Sequence, residues 1–388
     1  MKKKIICYIL ILFIFSNLPL SYNFVYAEND FQDTINNQID SLDLGELENI
    51  LETLNTKELS LLSEDLKSYL KDLINGETTF NYANTWNLIV SILTNQTKKI
   101  LPLFAMIIAV GILISLISEF NLSNRKDISS IINFAFVGIV IILCIAEVSI
   151  FVKTSKNTLM NINKQINAIF PVLFTIMTAI GSTKTISFYQ PLIAFLSNII
   201  LNFMINILLP IVLLLIVFSI CSHISKNVKL DKLSKFFMNF FKWSMGVIFT
   251  IFITAVTISG LSVSGFDTIG IKTAKFTIKS FIPYIGGFLS DSFNIVLAGS
   301  VLIKNALGVT GIIILFSSII VPIISMLCFK FGLELCSGVL EPICDSRLCN
   351  YLSELSKLIT MLISVIVVCA IMYLIMIASI MSTANLWG

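Results

Sequence analysis

Five stretches of this chain, residues 100–118, 128–152, 244–261, 308–329 and 358–380, are close to the roughly 20 apolar residues that a bilayer-crossing helix needs. Hydrocarbon offers no water to an unpaired peptide group, and a helix pairs its backbone within one segment. The composition agrees. Hydrophobic residues make up 56% of the 388 and charged residues only 13%, with a mean hydropathy of +0.93. Soluble domains carry about a quarter charged residues. The sequence therefore predicts an all-α fold, a polytopic helical membrane protein with a short exported helical segment at its N-terminus.

Three further segments are less regular. Residues 166–180 are short and contain Pro171, and residues 188–221 are long, with Pro191 and Pro210 inside. Residues 281–302 form another candidate element. Residues 100–388 thus read as a multi-span membrane domain with about seven or eight transmembrane or re-entrant elements.

The N-terminus has the form of a secretory signal over residues 1–27. Lys2, Lys3 and Lys4 precede an apolar run from Ile5 to Phe15, and Val25-Tyr26-Ala27 offers a cleavage site. Tyr22 and Tyr26 depart from the small-residue pattern, so an uncleaved anchor is the alternative. Either form exports residues 28–99. That segment holds thirteen Asp/Glu against five Lys, whereas residues 100–388 hold ten acids against eighteen Lys/Arg. Within it, Phe31, Ile35, Ile39 and Leu42 have helical spacing, and Asp43-Leu44-Gly45-Glu46 resembles a capping box before Leu47, Ile50, Leu51 and Leu54. A third helix through Leu59, Leu62, Leu66, Tyr69 and Leu73 is expected to stop at Asn75-Gly76. These read as short amphipathic helices that pack on each other, on the membrane domain or on a partner.

Charge also constrains topology. Lys226, Lys229, Lys232, Lys235 and Lys242, opposed only by Asp231, mark a cytosolic loop under the positive-inside rule. With residues 28–99 outside and two crossings up to residue 152, an odd number of crossings must fall between residues 166 and 221. Hydropathy there suggests two, so one irregular segment is expected to be re-entrant or folded back at a proline.

Residues 283–311 mix apolar residues with Asp291, Asn294, Lys304 and Asn305, and with the glycines Gly286, Gly287, Gly308 and Gly311. Pro283 with these glycines reads as a broken-helix motif, sheltered by protein or lining a wet cavity. Asp291 and Lys304 are candidates for solute or ion contact, or for a salt bridge across a hairpin. Asn198, Asn202 and Asn206 recur every four residues on one helix face, which suits inter-helix hydrogen bonds or the lining of a solute path. Glu147, near the end of the second apolar run, is a further candidate, with a solvated acid as the plainer reading. Cys144, Cys221, Cys328 and Cys369 read as small hydrophobes, and Cys336, Cys344 and Cys349 match no zinc spacing. His223 is the only histidine. No nucleophile elbow, zinc-protease motif, phosphate loop or paired catalytic aspartates occur. Neither catalysis nor a cofactor is expected, and no nucleic-acid partner.

Two blocks carry a family resemblance. The first holds Phe281-Ile282-Pro283, Ser290-Asp291, Val296-Leu297, Lys304-Asn305-Ala306 and Gly308-Val309-Thr310-Gly311. The second holds Leu340-Glu341-Pro342 and Asp345-Ser346-Arg347. Together with the overall layout, they resemble the stage III sporulation protein AE family of endospore-forming bacteria. The resemblance implies a mother-cell membrane protein facing the forespore. It would belong to a channel or feeding-tube complex with ring-forming membrane-anchored proteins and a secretion-type ATPase, embedded in the lipid bilayer. A role as platform or pore subunit, or as a small-solute permease, is open, and the family offers no catalytic residues to carry over.

Overall fold

A computed structural model describes residues 29–54, 66–76, 82–121, 126–224, 230–281, 286–344 and 346–383. The proposed signal segment and Pro283 lie outside the described residues. Among the described residues every regular element is helical. Three short helices come first: α1 (Asn29–Asp40), α2 (Gly45–Leu54) and α3 (Leu66–Asn75). Six long ones follow: α4 (Tyr82–Asn121), α5 (Lys126–Ile180), α6 (Thr183–Ile224), α7 (Asp231–Phe281), α8 (Gly286–Leu340) and α9 (Ser346–Ser382). All six are long and apolar enough to cross a membrane.

The short helices form a cap. Ile35 and Ile39 of α1, Leu44 and Leu47 around the start of α2, and Leu66, Leu70 and Ile74 of α3 are buried together, as their three- and four-residue spacing requires. The Asp43 carboxylate accepts from the Gly45 N–H at 3.3 Å, one residue short of the Glu46 N–H that a capping box would use, and so holds the entry to α2. Gly76, at φ 74°, takes the left-handed conformation that closes α3 where Asn75-Gly76 predicted a stop. Lys67 donates to the Asp40 carbonyl at 3.0 Å, and Lys71 pairs with the Asp40 carboxylate at 2.9 Å, tying α3 to the end of α1. The cap rests on α8: α1 and α3 both pack against it, and Ser300 donates to Gln38 at 3.4 Å.

Helix α8 is the hub of the long bundle, packing against α9, α5, α4 and α7. Its registers fix the directions. Ser325 donates to Gln96 at 2.7 Å, and a Cβ on Gly332 would fall on the Phe104 ring, so α4 runs parallel to α8. Phe151 meets Phe329 and Ser155 meets Met326, while Ile169 borders Gly311, so α5 runs antiparallel. Ser356 donates to Glu334 and Lys304 reaches Thr383, so α9 is antiparallel too. Ser219 bonds Glu354 and His223 faces Tyr351, which makes α6 antiparallel to α9. Successive long helices therefore alternate in direction.

Two sequence expectations are corrected. Residues 128–152 and 166–180 are parts of one helix, α5, because no glycine or proline lies between them and the polar residues there do not interrupt the backbone. The expected second irregular crossing is thus absorbed. A left-handed turn at Gly181 (φ 85°) separates α5 from α6, with the Ser182 N–H closing on the Met177 carbonyl at 2.9 Å. Helix α6 then runs the length of the bundle once, which gives the odd number that charge demanded. The cap and the connection after His223 consequently sit at opposite ends.

The second correction concerns the break. Gly286 and Gly287 are the first residues of α8 rather than an interruption, and the helix continues through Gly308 and Gly311 to Leu340. Residues 282–285, where α7 gives way to α8, lie outside the described residues.

Candidate functional site

Lys304, Gly308 and Gly311 are spaced four and three apart and so share one face of α8. That face receives the last turns of α9. The glycines are needed for close approach: a Cβ on Gly308 would stand 2.5 Å from the Met381 sulfur, and one on Gly311 3.0 Å from both Ile169 and Ile377. Their role is packing, which is why a helix tolerates them here.

Lys304 is fully buried. Its ammonium donates to the Met381 carbonyl at 3.2 Å and to the Thr383 carbonyl. The last four carbonyls of a helix lack intrahelical donors, and the C-terminal end carries the negative pole of the helix dipole. A buried cation placed there meets both needs. The polar residue that stood out in the sequence is thus a cap on α9. A continuous α8 sets residues 291 and 304 roughly 20 Å apart along the axis, so no hairpin sets them side by side. The Asp291 side chain lies outside the described ones. Beside Lys304, the Asn305 side-chain carbonyl is buried with no protein partner.

Farther along the same interface is a second set that the sequence reading passed over. Gln165 on α5 is fully buried, and neither end of its carboxamide has a protein partner. The Tyr373 hydroxyl on α9 is likewise buried and unpartnered, 3.4 Å from the point where a Gly311 Cβ would lie. Its ring meets Phe170 edge-on at 6.0 Å. A polar group left without a partner in a dry interior costs about 1–3 kcal/mol. The available signal was Gln165 standing on the apolar face that Ile162, Ile166 and Ile169 define.

The asparagine row behaves differently. Asn198, Asn202 and Asn206 all lie exposed on the outside of α6, and the Asn202 amide returns to the Asn198 carbonyl at 2.6 Å. Two π-helical turns, Phe195–Ile200 and Met204–Leu208, hold Asn198 and Asn206. The second lies just before Pro210, whose missing N–H leaves the Asn206 carbonyl without its usual donor. Glu147 is half-buried and falls within α5 rather than near its end.

At the end of the bundle away from the cap, polar contacts tie helices together. Ser219 donates to Glu354 at 2.8 Å, with His223 Nδ1 3.9 Å from the same carboxylate. Ser356 donates to Glu334 at 2.7 Å, and Lys330 lies 3.9 Å from Glu334. Cys336 and Cys344 direct their thiols at the Phe104 and Gly111 carbonyls of α4. Lys98 and Lys99 follow Gln96, Lys153 and Lys156 flank Ser155, and Lys357 follows Ser356, so the registers above bring these lysines to about the level of Lys330.

Six long helices that alternate in direction around a central α8, each with an apolar stretch long enough to cross a membrane, define a polytopic α-helical membrane protein. The family model for stage III sporulation protein AE matches residues 64–384, which takes in all six long helices, and the chain belongs to that family. It is 24% identical over 329 residues to stage III sporulation protein AE of Bacillus subtilis (strain 168), covering 84% of this chain and 82% of that one. No solved structure matches.

Proposed function

We propose that this chain is the integral membrane subunit of the sporulation channel complex that links mother cell and forespore, and that forespore development needs it. The observation that carries the reading is the family match across residues 64–384. In this reading the protein sits in the mother-cell membrane around the forespore, with residues 28–99 on the extracytoplasmic side and the lysine-rich connection after α6 in the mother-cell cytosol. The opposite-ended placement of cap and connection supports that orientation. Its partners are ring-forming membrane-anchored proteins and a secretion-type ATPase, and its role is to scaffold or line the channel without catalysis. The test is affinity purification of the tagged full-length chain from sporulating cells. Recovery of those two partner classes is expected, together with arrested forespore development when the chain is depleted. Purification without either class, with normal spores after depletion, would refute the reading.

A second reading is favoured by the buried polar groups between α5, α8 and α9: a small-solute permease within or beside the complex. Purified chain in sealed proteoliposomes would then pass small polar solutes without other subunits. Tight vesicles would remove this alternative and leave the scaffold.

A further inference from the structure

We propose that α5, α8 and α9 enclose a short hydrated seam, a built site for ordered water between Tyr373 and Gln165. Helices α5 and α9 contribute polar atoms that no protein group satisfies: both ends of the Gln165 carboxamide and the Tyr373 hydroxyl. Gln165 and Tyr373 are fully buried, so bulk solvent does not reach them from the surface.

Ile169 and the Tyr373 oxygen both border the Gly311 α-carbon, and Gln165 stands one turn from Ile169 on the same face of α5. Gly311 brings the three helices together here, because a side chain there would press on Ile169 and Ile377 and close against the Tyr373 oxygen.

The chemistry selects an uncharged ligand with both donors and acceptors. The orphaned groups comprise amide and hydroxyl donors together with carbonyl and hydroxyl acceptors. Water meets this pattern, bonding two to four polar partners in buried sites. The seam is independent of the complex reading and holds for a scaffold and a permease alike.

The experiment is X-ray hydroxyl-radical footprinting of the full-length protein in its membrane, in which ordered internal water labels the side chains beside it. Tyr373 should be oxidised several-fold faster than Phe329, which is equally buried but sits among the Phe104 and Phe151 rings. In Gln165→Leu, the Tyr373 rate should fall toward that of Phe329. If that variant does not accumulate, the unbranched Gln165→Met serves the same purpose. A Tyr373 rate no higher than that of Phe329 in the unmodified protein would overturn the seam. So would a Tyr373 rate unchanged by the Gln165 variant, since the two groups would then share no water.

Discussion

Lys304 of α8 donates to the backbone carbonyl of Thr383, the residue just past the end of α9, across 79 positions of sequence. The contact explains how a full positive charge sits in an apolar bundle. Carbonyls at a helix end need donors wherever they are buried, and here a lysine from the neighbouring helix supplies them.

Lys304→Met should therefore destabilise the protein even though it removes a buried charge. Two terminal carbonyls lose a charged donor, and hydrogen bonds to charged groups are worth about 1.5–3 kcal/mol each at most. A thermal scan in detergent should show a lower midpoint, and hydrogen exchange should rise first in the last turn of α9. Unchanged protection of that turn would show that the lysine does not cap it.

The glycines of α8 should differ in tolerance. A Cβ on Gly332 would lie 1.9 Å from the Phe104 ring, a stiff obstacle, whereas on Gly308 the nearest atom is the flexible Met381 thioether at 2.5 Å. Gly332→Ala is expected to lose about 1–3 kcal/mol by overpacking, and Gly308→Ala less. Gly138 and Gly246 face open space within their helices, and alanine there should stabilise by about 0.5–1 kcal/mol. Thermal midpoints of the four variants test the order.

Cysteine labelling tests the alternation of the bundle. Thr183→Cys, at the turn between α5 and α6, should react from the same side as Ser41→Cys in the cap, while Lys232→Cys should react from the other. All three native residues are exposed. Labelling of Thr183→Cys together with Lys232→Cys would mean that α5 does not run through as one helix.

Two capping residues should respond in opposite ways. Asp43→Ala removes the acceptor for the Gly45 N–H and should weaken the cap by about 1 kcal/mol. Ser182 precedes α6 but makes no capping bond, and its buried hydroxyl has no partner. Ser182→Ala should be neutral or slightly stabilising in the same melting experiment.

Much of this fold was legible because apolar runs and helical spacing are local properties. Ile35 and Ile39, the Asp43 cap and the Gly76 stop could each be read from a few neighbouring residues. Continuity was harder. Hydropathy reports which solvent a residue prefers, so Lys153, Lys156 and Lys164 made one helix look like two, although nothing there breaks a backbone. The same confusion turned Gly308 and Gly311 into a break when they are close-packing positions. Lys304 and Asn305 stood out as polar residues in apolar surroundings, but their neighbours lie on α9, which no local pattern reveals. Gln165 stood out only against Ile162, Ile166 and Ile169 on its own face, Tyr373 lacked even that contrast, and the asparagine row gave a true face but not the direction in which it points.

The length of α5 and α8 has a mechanical consequence. Each has 55 residues and is about 80 Å long, against roughly 30 Å of hydrocarbon. The lysines near Lys330 form a waist, with the apolar parts of α6, α8 and α9 largely on its cap side and those of α4 and early α5 on the other. One lipid layer cannot cover both sides of that waist at once. The protein is therefore less a plug sealed within a membrane than a post standing through it, with helices that extend well past the hydrocarbon.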